Sequence, residues 1–454
     1  MRISQISVTK LFGTFDHTID LNLNDRITII HGPNGVGKTT LLRLVDALFN
    51  KQGDELRSIP FEKLHIKFND ESILTLSNIF PLLDKRDVQR KPKEENQFLL
   101  SYKQINQKQL DWPSNLRIDP REFRISSSFI ERVVPQLERV SATKWLDQTS
   151  GEVLSFDKVL QLWGNLFPPE FRNIKQSWPE WFDEFFASIS IRFIRAQRLL
   201  LLNQVPDNMR YHGVIDEEKR PQVSDAVVNY SSQLREIIRQ KLAESSTLSQ
   251  SLDRSFPQRL IKTYEGKSLI PKEELIQRLI NVEGKRQFLI GVGLYDPEKE
   301  SISNPEINNE DIQRVLSVYV KDVEDKLSVF DELAGRIELL GNLINSRFKY
   351  KQMKIDKEKG FVFITDQGIL SASNLSSGEQ HELVLIYELL FLTKKETLVL
   401  IDEPELSLHV GWQLRFLEDL QQIIEKTQIN ALIATHSPQI INNHWDLTVK
   451  LGGE

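Results

Sequence analysis

Arg26-Ile27-Thr28-Ile29-Ile30-His31-Gly32-Pro33-Asn34-Gly35-Val36-Gly37-Lys38-Thr39-Thr40 is the stretch on which the fold turns. Arg26 to Ile30 is short, β-branched and nearly all apolar, as expected of a central parallel strand buried on both faces. Gly32 to Thr39 then fits G-x-x-x-x-G-K-[ST]. Glycines at such a turn let successive backbone N–H groups converge on a phosphate without Cβ obstruction. A helix is predicted from Lys38 to Phe49, with Leu41, Leu44, Val45, Leu48 and Phe49 at helical spacing. Its positive N-terminal end would lie beneath the same phosphate. Lys38 is expected to reach the β- and γ-phosphates of a nucleoside triphosphate, and the Thr39 hydroxyl to ligate Mg²⁺.

Far along the chain, Thr397-Leu398-Val399-Leu400-Ile401-Asp402-Glu403-Pro404 reads as a second buried strand, ending in two acids. Adjacent carboxylates resist joint ionisation unless a cation balances them. Asp402 is therefore expected to hold the metal and Glu403 to polarise an attacking water. A third apolar run, Ala431-Leu432-Ile433-Ala434-Thr435-His436-Ser437-Pro438, follows after one predicted helix, Gly411 to Lys426. It would deliver His436 to the same sheet edge as Asp402 and Glu403.

Asn374-Leu375-Ser376-Ser377-Gly378-Glu379-Gln380 precedes an apolar helical stretch. It reads as a helix start with Ser376 or Ser377 capping and Glu379 or Gln380 reaching back. Such a start can also bind phosphate.

The 454 residues suggest about three folding units. Zero cysteines exclude disulfides, thiolate metal sites and cysteine nucleophiles, and suit a reducing cytosol. No run approaches the length of a membrane helix, and Met1 to Gln5 alternates like a strand rather than a signal peptide. With 58 Lys+Arg against 64 Asp+Glu, no global basic field advertises nucleic acid. The densest basic run is Lys85, Arg86, Arg90, Lys91 and Lys93, and it reads as a solvated hairpin.

The expected order is a split core with material inserted between its halves. Residues 1–111 carry its first half, with two strands before the glycine loop (Ile3 to Val8, Arg26 to Ile30) and short alternating segments near 64–68, 73–76 and 98–102. Residues 112–187 form an insert holding five of the seven tryptophans, Trp112, Trp145, Trp163, Trp178 and Trp181, together with Pro113, Pro168, Pro169 and Pro179. The rings are read as one compact accessory core, or else as a partner-binding face. Residues 188–222 return to the core along Ile189 to Leu201. Residues 223–350 are helical, with breaks at Pro257, Gly266, Pro271 and Gly284, and without the sustained heptads of a long coiled-coil arm. Residues 351–454 alternate strand, helix and strand.

In order along the chain, Gly32–Thr39, Leu375–Glu379, Asp402–Glu403 and His436 resemble the Walker A, signature, Walker B and switch-histidine motifs of ABC-type ATPases. The SMC/RecF/OLD-like branch fits better than transporters, which the large insert and the Asp402–His409 block disfavour. Ile401 to His409 with Gln413, and Ala434 to Pro438, resemble the ATPases of prokaryotic anti-phage systems, the AriA ATPases of PARIS nearest and those of Septu and retrons next. The resemblance covers roughly the first 50 and last 90 residues. It implies an α/β ABC-ATPase head, a P-loop NTPase sheet with flanking helices, bearing the Trp-rich insert and a helical subdomain.

It also implies ATP and Mg²⁺ as cofactors. Gly32, Pro33, Asn34, Gly35, Val36, Gly37, Lys38, Thr39 and Thr40 would hold the nucleotide. Thr39, Asp402 and Gln197 would serve the metal, and Glu403 and His436 would be catalytic. In a dimer of heads, Leu375, Ser376, Ser377, Gly378 and Glu379 of one subunit would close on the nucleotide of the other. Ser377 stands where many members have glycine, and His409 where transporters and SMC proteins carry an aspartate.

The implied role is an ATP-hydrolysing sensor subunit of a defence complex, acting with a second copy of itself and a separate effector of TOPRIM-nuclease type, under a phage-protein trigger. Only 18 residues follow His436, so a TOPRIM domain is not expected on this chain. The alternative is a DNA-binding repair ATPase of RecF or SMC type. No membrane partner is expected.

Overall fold

In a computed structural model of the chain, the described residues are 1–78, 98–105, 107–114, 127–141, 144–148, 153–163, 166–167, 178–202, 223–265, 269–296, 307, 309–406 and 408–452. The basic run Lys85–Lys93, Pro168, Pro169 and Gly266 lie outside them. The chain divides into two compact units, Met1–Asp225 with Leu392–Glu454, and Ala226–Phe391.

The first unit holds a five-stranded parallel sheet in the order Ile191–Ile194, Leu398–Asp402, Asn430–Ala434, Ile27–His31, Thr448–Lys450. All five residues of Leu398–Asp402 are buried, as a strand covered on both faces requires. A six-stranded antiparallel sheet runs Phe15–Asp20, Ile3–Leu11, Lys63–Phe68, Ile73–Asn78, Phe98–Lys103, Leu110–Ser114. The edge strand Phe15–Asp20, second along the chain, is one more than expected before the loop. Its alternation is masked in the sequence by His17, a polar residue that points inward.

The helix Lys38–Phe49 has the predicted bounds, but more than one face of it is buried. Leu42 and Ala47 are fully buried as well, because the helix contacts the parallel sheet and shares one core with Ile6, Val8, Leu64, Ile66, Leu74 and Leu76 of the antiparallel sheet. A helix between two sheets is apolar nearly all round.

The tryptophans serve two cores rather than one. Trp145 and Trp163 are buried in a small cluster with Ile130, Phe156, Val159 and Phe167. Trp112, Trp178 and Trp181 pack instead against the main core, where Trp112 stacks on Trp178 and Trp181 on Tyr102. The expected strand Ile189 to Leu201 is two, Ile191–Ile194 and Leu200–Leu202.

The second unit corrects the reading of the helical region. Ala226–Glu265 is one helix of 40 residues, running through Pro257 and about 60 Å long at 1.5 Å per residue. Gly284 lies inside Lys272–Gly291, whereas Pro271 does begin that helix. Both the 40-residue helix and Lys272–Gly291 contact Glu310–Ser328. The buried residues of the long helix fall in its first half, from Ala226 to Ser245. Beyond that, charge joins the helices: Lys326 Nζ lies 2.9 Å from Asp253, Arg259 Nη2 2.7 Å from Asp322, and Arg278 Nε 2.9 Å from Glu324. Ion pairs thus join the second half of the long helix to Glu310–Ser328. Among the described residues no helix is long and apolar enough to cross a membrane.

Candidate functional site

Strand register brings the polar segments to one edge of the parallel sheet. Ile194 stands beside Ile401, Asp402 beside Ala434, and Ala434 beside Ile30. The residues that follow each strand therefore leave the sheet together, at its carboxyl end.

At this edge the Thr39 hydroxyl donates to Asp402 Oδ1 at 2.8 Å. Lys38 is buried, and its Nζ donates to the carbonyls of Gly32 (2.8 Å) and Pro33 (3.0 Å). That ammonium also lies 3.4 Å from His436 Nδ1. To accept there, the ring needs its lone pair on Nδ1 and its proton on Nε2, which faces Glu403 Oε1 at 4.0 Å. Burial pulls the Lys38 pKa below its ordinary value, against the opposing charges of Glu403, Asp402 and Glu405. Burial raises the Asp402 pKa, and Glu403 and Glu405 push the same way while the Thr39 hydrogen bond and His436 oppose.

The loop is shaped for an anion. Gly35, at φ +84°, has nothing within 4 Å of where a Cβ would stand. No side chain caps the Lys38–Phe49 helix, and no acidic residue occupies its first turn. The loop is also held from behind, where buried His17 places Nε2 2.7 Å from the Val36 carbonyl. The donor set of Thr39 hydroxyl and Asp402 carboxylate is all oxygen, the chemistry of a hard divalent cation that keeps waters and phosphate oxygens in its remaining positions. These residues fit Mg²⁺ with a triphosphate, and such a bound ion would supply charge neutralisation.

Gln197 is exposed and follows Ile194 by three residues, at the same sheet edge. Among the described residues no hydrogen bond joins it to Thr39 or Asp402. Its neighbour Arg198 donates instead to the Pro404 carbonyl at 3.3 Å.

In the second unit, Ser376 and Glu379 form the reciprocal cap at the start of Ser377–Phe391. Ser376 N and Oγ donate to Glu379 Oε2 at 2.8 and 2.7 Å. Lys351 Nζ donates to both Glu379 oxygens, at 2.7 and 2.6 Å. Gln380 binds the carbonyls of Ser373 and Leu375, each at 3.0 Å, and so ties down the preceding turn. Back in the first unit, His409 accepts from Gly411 N at 3.1 Å, a capping role that an aspartate would also fill.

Sequence reasoning passed over two residues. Glu405 accepts three hydrogen bonds from the His436 turn, and its signal was the third acid of Asp402-Glu403-Pro404-Glu405. His17 was signalled by its place two residues before buried Ile19, on the same strand face.

Sheet order and family together define an ATPase of AAA/ABC type with an α/β head. The chain belongs to the family described as "AAA domain, putative AbiEii toxin, Type IV TA system", whose model matches residues 215–442, half of the chain. That match includes the second and third motif strands but not the glycine loop.

The chain is 30% identical over 105 residues to protein ea59 of Escherichia phage lambda, a stretch spanning 23% of this chain and a fifth (20%) of that protein. Two solved structures overlay on it loosely. The Smc head domain of Pyrococcus furiosus with an extended coiled coil, bound to the C-terminal domain of ScpA, does so with a TM-score of 0.32 at 10% identity, covering 97% of this chain and 91% of that one. The SMC head domain of Thermotoga maritima gives 0.32 at 11%, covering 99% and 94%.

Proposed function

We propose that this chain binds Mg-ATP at Gly32–Thr40, hydrolyses it through Glu403 and His436, and works as a sensor subunit of an anti-phage defence complex. The observation that carries the reading is the 2.8 Å contact of Thr39 with Asp402, with Lys38, Glu403 and His436 gathered around it. In this reading Lys38 binds the β- and γ-phosphates and Thr39 and Asp402 serve the metal, with Gln197 nearby. Glu403 orients the attacking water, and His436 stands against the γ-phosphate. Two heads close on two nucleotides, Leu375–Glu379 of one protomer meeting the Lys38 side of its partner. Closure then controls a separate effector, a nuclease of TOPRIM type, in response to a phage protein.

The family description, which names a toxin–antitoxin system, and the relative encoded by phage lambda support a place in phage–host conflict. A DNA-repair ATPase of RecF or SMC type is the second reading, favoured by the 40-residue helix and its helical partners. Duplex-DNA affinity that falls steeply with salt would select that second reading.

Glu403→Gln is the test. It should keep ATP binding and lose hydrolysis by about 10²–10³-fold, the scale of a positioned proton acceptor, and it should trap a dimer on a sizing column. Lys38→Ala should not bind ATP. A Glu403→Gln protein that hydrolyses ATP at the wild-type rate would remove the site assignment.

A further inference from the structure

The Asp402–His409 block with Gln413, and the Ala434–Pro438 block, enter the sequence as separate motifs. In the folded chain they are bonded to each other. Glu405 Oε1 accepts from Thr435 Oγ1 at 2.9 Å, from His436 N at 2.8 Å and from Ser437 N at 3.1 Å. Three donors from three consecutive residues thus converge on one oxygen. On the other side, Gln413 Oε1 lies 2.8 Å from Ser437 Oγ, while Gln413 Nε2 reaches the carbonyl of Leu408 at 3.0 Å. Thr435 is completely buried, so its hydroxyl has no water to turn to. The second Glu405 oxygen is buried without a hydrogen-bond partner.

We propose that Glu405 is a positioning residue for His436: its carboxylate oxygen clasps the Thr435–Ser437 turn and so sets where the imidazole stands between Lys38 and Glu403. The geometry behind this is short. His436 has one peptide N–H, and Glu405 holds it. The ring that hangs from that residue meets Lys38 Nζ at 3.4 Å and Glu403 Oε1 at 4.0 Å, distances that a small rotation of the turn would change. Glu405 also lies two residues beyond Glu403, so a single turn of chain carries both the carboxylate facing the ring and the clasp that aims the ring. The clasp rests on the ATPase function proposed above, because its effect is read in the hydrolytic step.

The experiment is a double-mutant cycle on purified full chain, with ATP turnover, ATP affinity and thermal unfolding measured for each protein. Glu405→Ala should lower kcat by about 10–100-fold, the usual loss on removing the partner that orients a site residue. Its KM for ATP should stay within about twofold. Glu405→Gln keeps a carbonyl acceptor in the same place and should restore most of the rate. Glu405→Asp withdraws the acceptor by one methylene and should remain slow.

The joint variant Glu405→Ala with His436→Ala should turn over no more slowly than His436→Ala alone, because the clasp acts only through that ring. Additive losses in the joint variant overturn the clasp while leaving the ATPase reading intact. So does loss of rate, affinity and melting temperature in step without recovery in Glu405→Gln. Should the alanine variant not fold, the glutamine and aspartate variants decide, and an aspartate faster than glutamine overturns the clasp. A wild-type chain that binds ATP and never hydrolyses it overturns the function itself and the clasp with it.

Discussion

Gly32 and Gly35 stand three residues apart in one loop, and the structure predicts opposite consequences for replacing each with alanine. At Gly32 (φ +153°) a Cβ would lie 2.2 Å from the Leu451 carbonyl oxygen and 3.1 Å from its carbon. That obstacle is backbone and cannot rotate away. Leu451 is tethered in turn, its N–H donating to the His31 carbonyl at 2.7 Å. Backbone strain of ~1–2 kcal/mol, overpacking of ~1–2 kcal/mol and a weakened hydrogen bond of ~1 kcal/mol together give a destabilisation of about 3–5 kcal/mol for Gly32→Ala.

At Gly35 the backbone strain is similar, about 1–2 kcal/mol, but the added methyl meets nothing within 4 Å. Its cost should fall on the ligand instead. A methyl in the cradle holds a phosphate off the loop N–H groups, and losing one charge-assisted bond of ~1.5–3 kcal/mol weakens ATP binding by about 10–100-fold. Urea denaturation and ATP titration on both variants separate the two effects. Gly35→Ala with wild-type affinity, or Gly32→Ala no less stable than Gly35→Ala, would refute the reasoning.

Ser376→Arg places a large cation where the cap hydroxyl sits, so in a Glu403→Gln background it should abolish ATP-induced dimerisation while ATP still binds, as light scattering and titration would report. An ATP-dependent dimer that persists argues against closure between subunits. Glu396 accepts two hydrogen bonds from Arg26, both at 3.0 Å, and this pairing holds its carboxyl below the ordinary carboxylate value. A depressed folded-state pKa means the stabilisation is complete at neutral pH and is lost as pH falls through the folded value. The stability gap between wild type and Glu396→Gln should therefore be constant from pH 7 to about pH 5 and shrink below about pH 4; a gap unchanged at low pH would count against it.

The fold was legible where one segment carried its own pattern. Ile27–His31, Leu398–Asp402 and Asn430–Ala434 are buried on both faces and read as apolar runs, and the loop beside them has residue types that few other structures require. Legibility failed where the pattern belonged to a partner. The 40-residue helix is bound along its second half by Asp253, Arg259 and their ion-pair partners, so no apolar period marks its length. Trp145 and Trp112 look alike in sequence, and only their neighbours send one to a small cluster and the other to the main core. The same holds within the candidate site. Lys38 and Asp402 announce themselves by local motif, whereas Glu405 and His17 act through contacts about 30 and 19 positions away, which one sequence does not reveal.

The backbone at Glu403 ties this local chemistry to strain. Its φ is +44°, in the left-handed region, although it carries a full side chain and precedes a proline. Hydrogen bonds hold it there: its N–H donates to the Ala434 carbonyl at 2.8 Å, its carbonyl accepts from Leu406 N at 3.0 Å, and Arg198 donates to the next carbonyl at 3.3 Å. A residue kept in this region costs ~1–2 kcal/mol, and such strain persists where the surroundings over-determine it. Here it turns a half-exposed carboxylate toward His436. Glycine ordinarily destabilises a chain by ~0.5–1 kcal/mol relative to alanine, but at this position relief of the strain should offset that loss. Glu403→Gly should therefore be at least as stable as Glu403→Ala, with both lacking hydrolysis, as denaturation and turnover assays would show. An alanine variant more stable by the ordinary margin would mean that Glu403 bears no backbone strain.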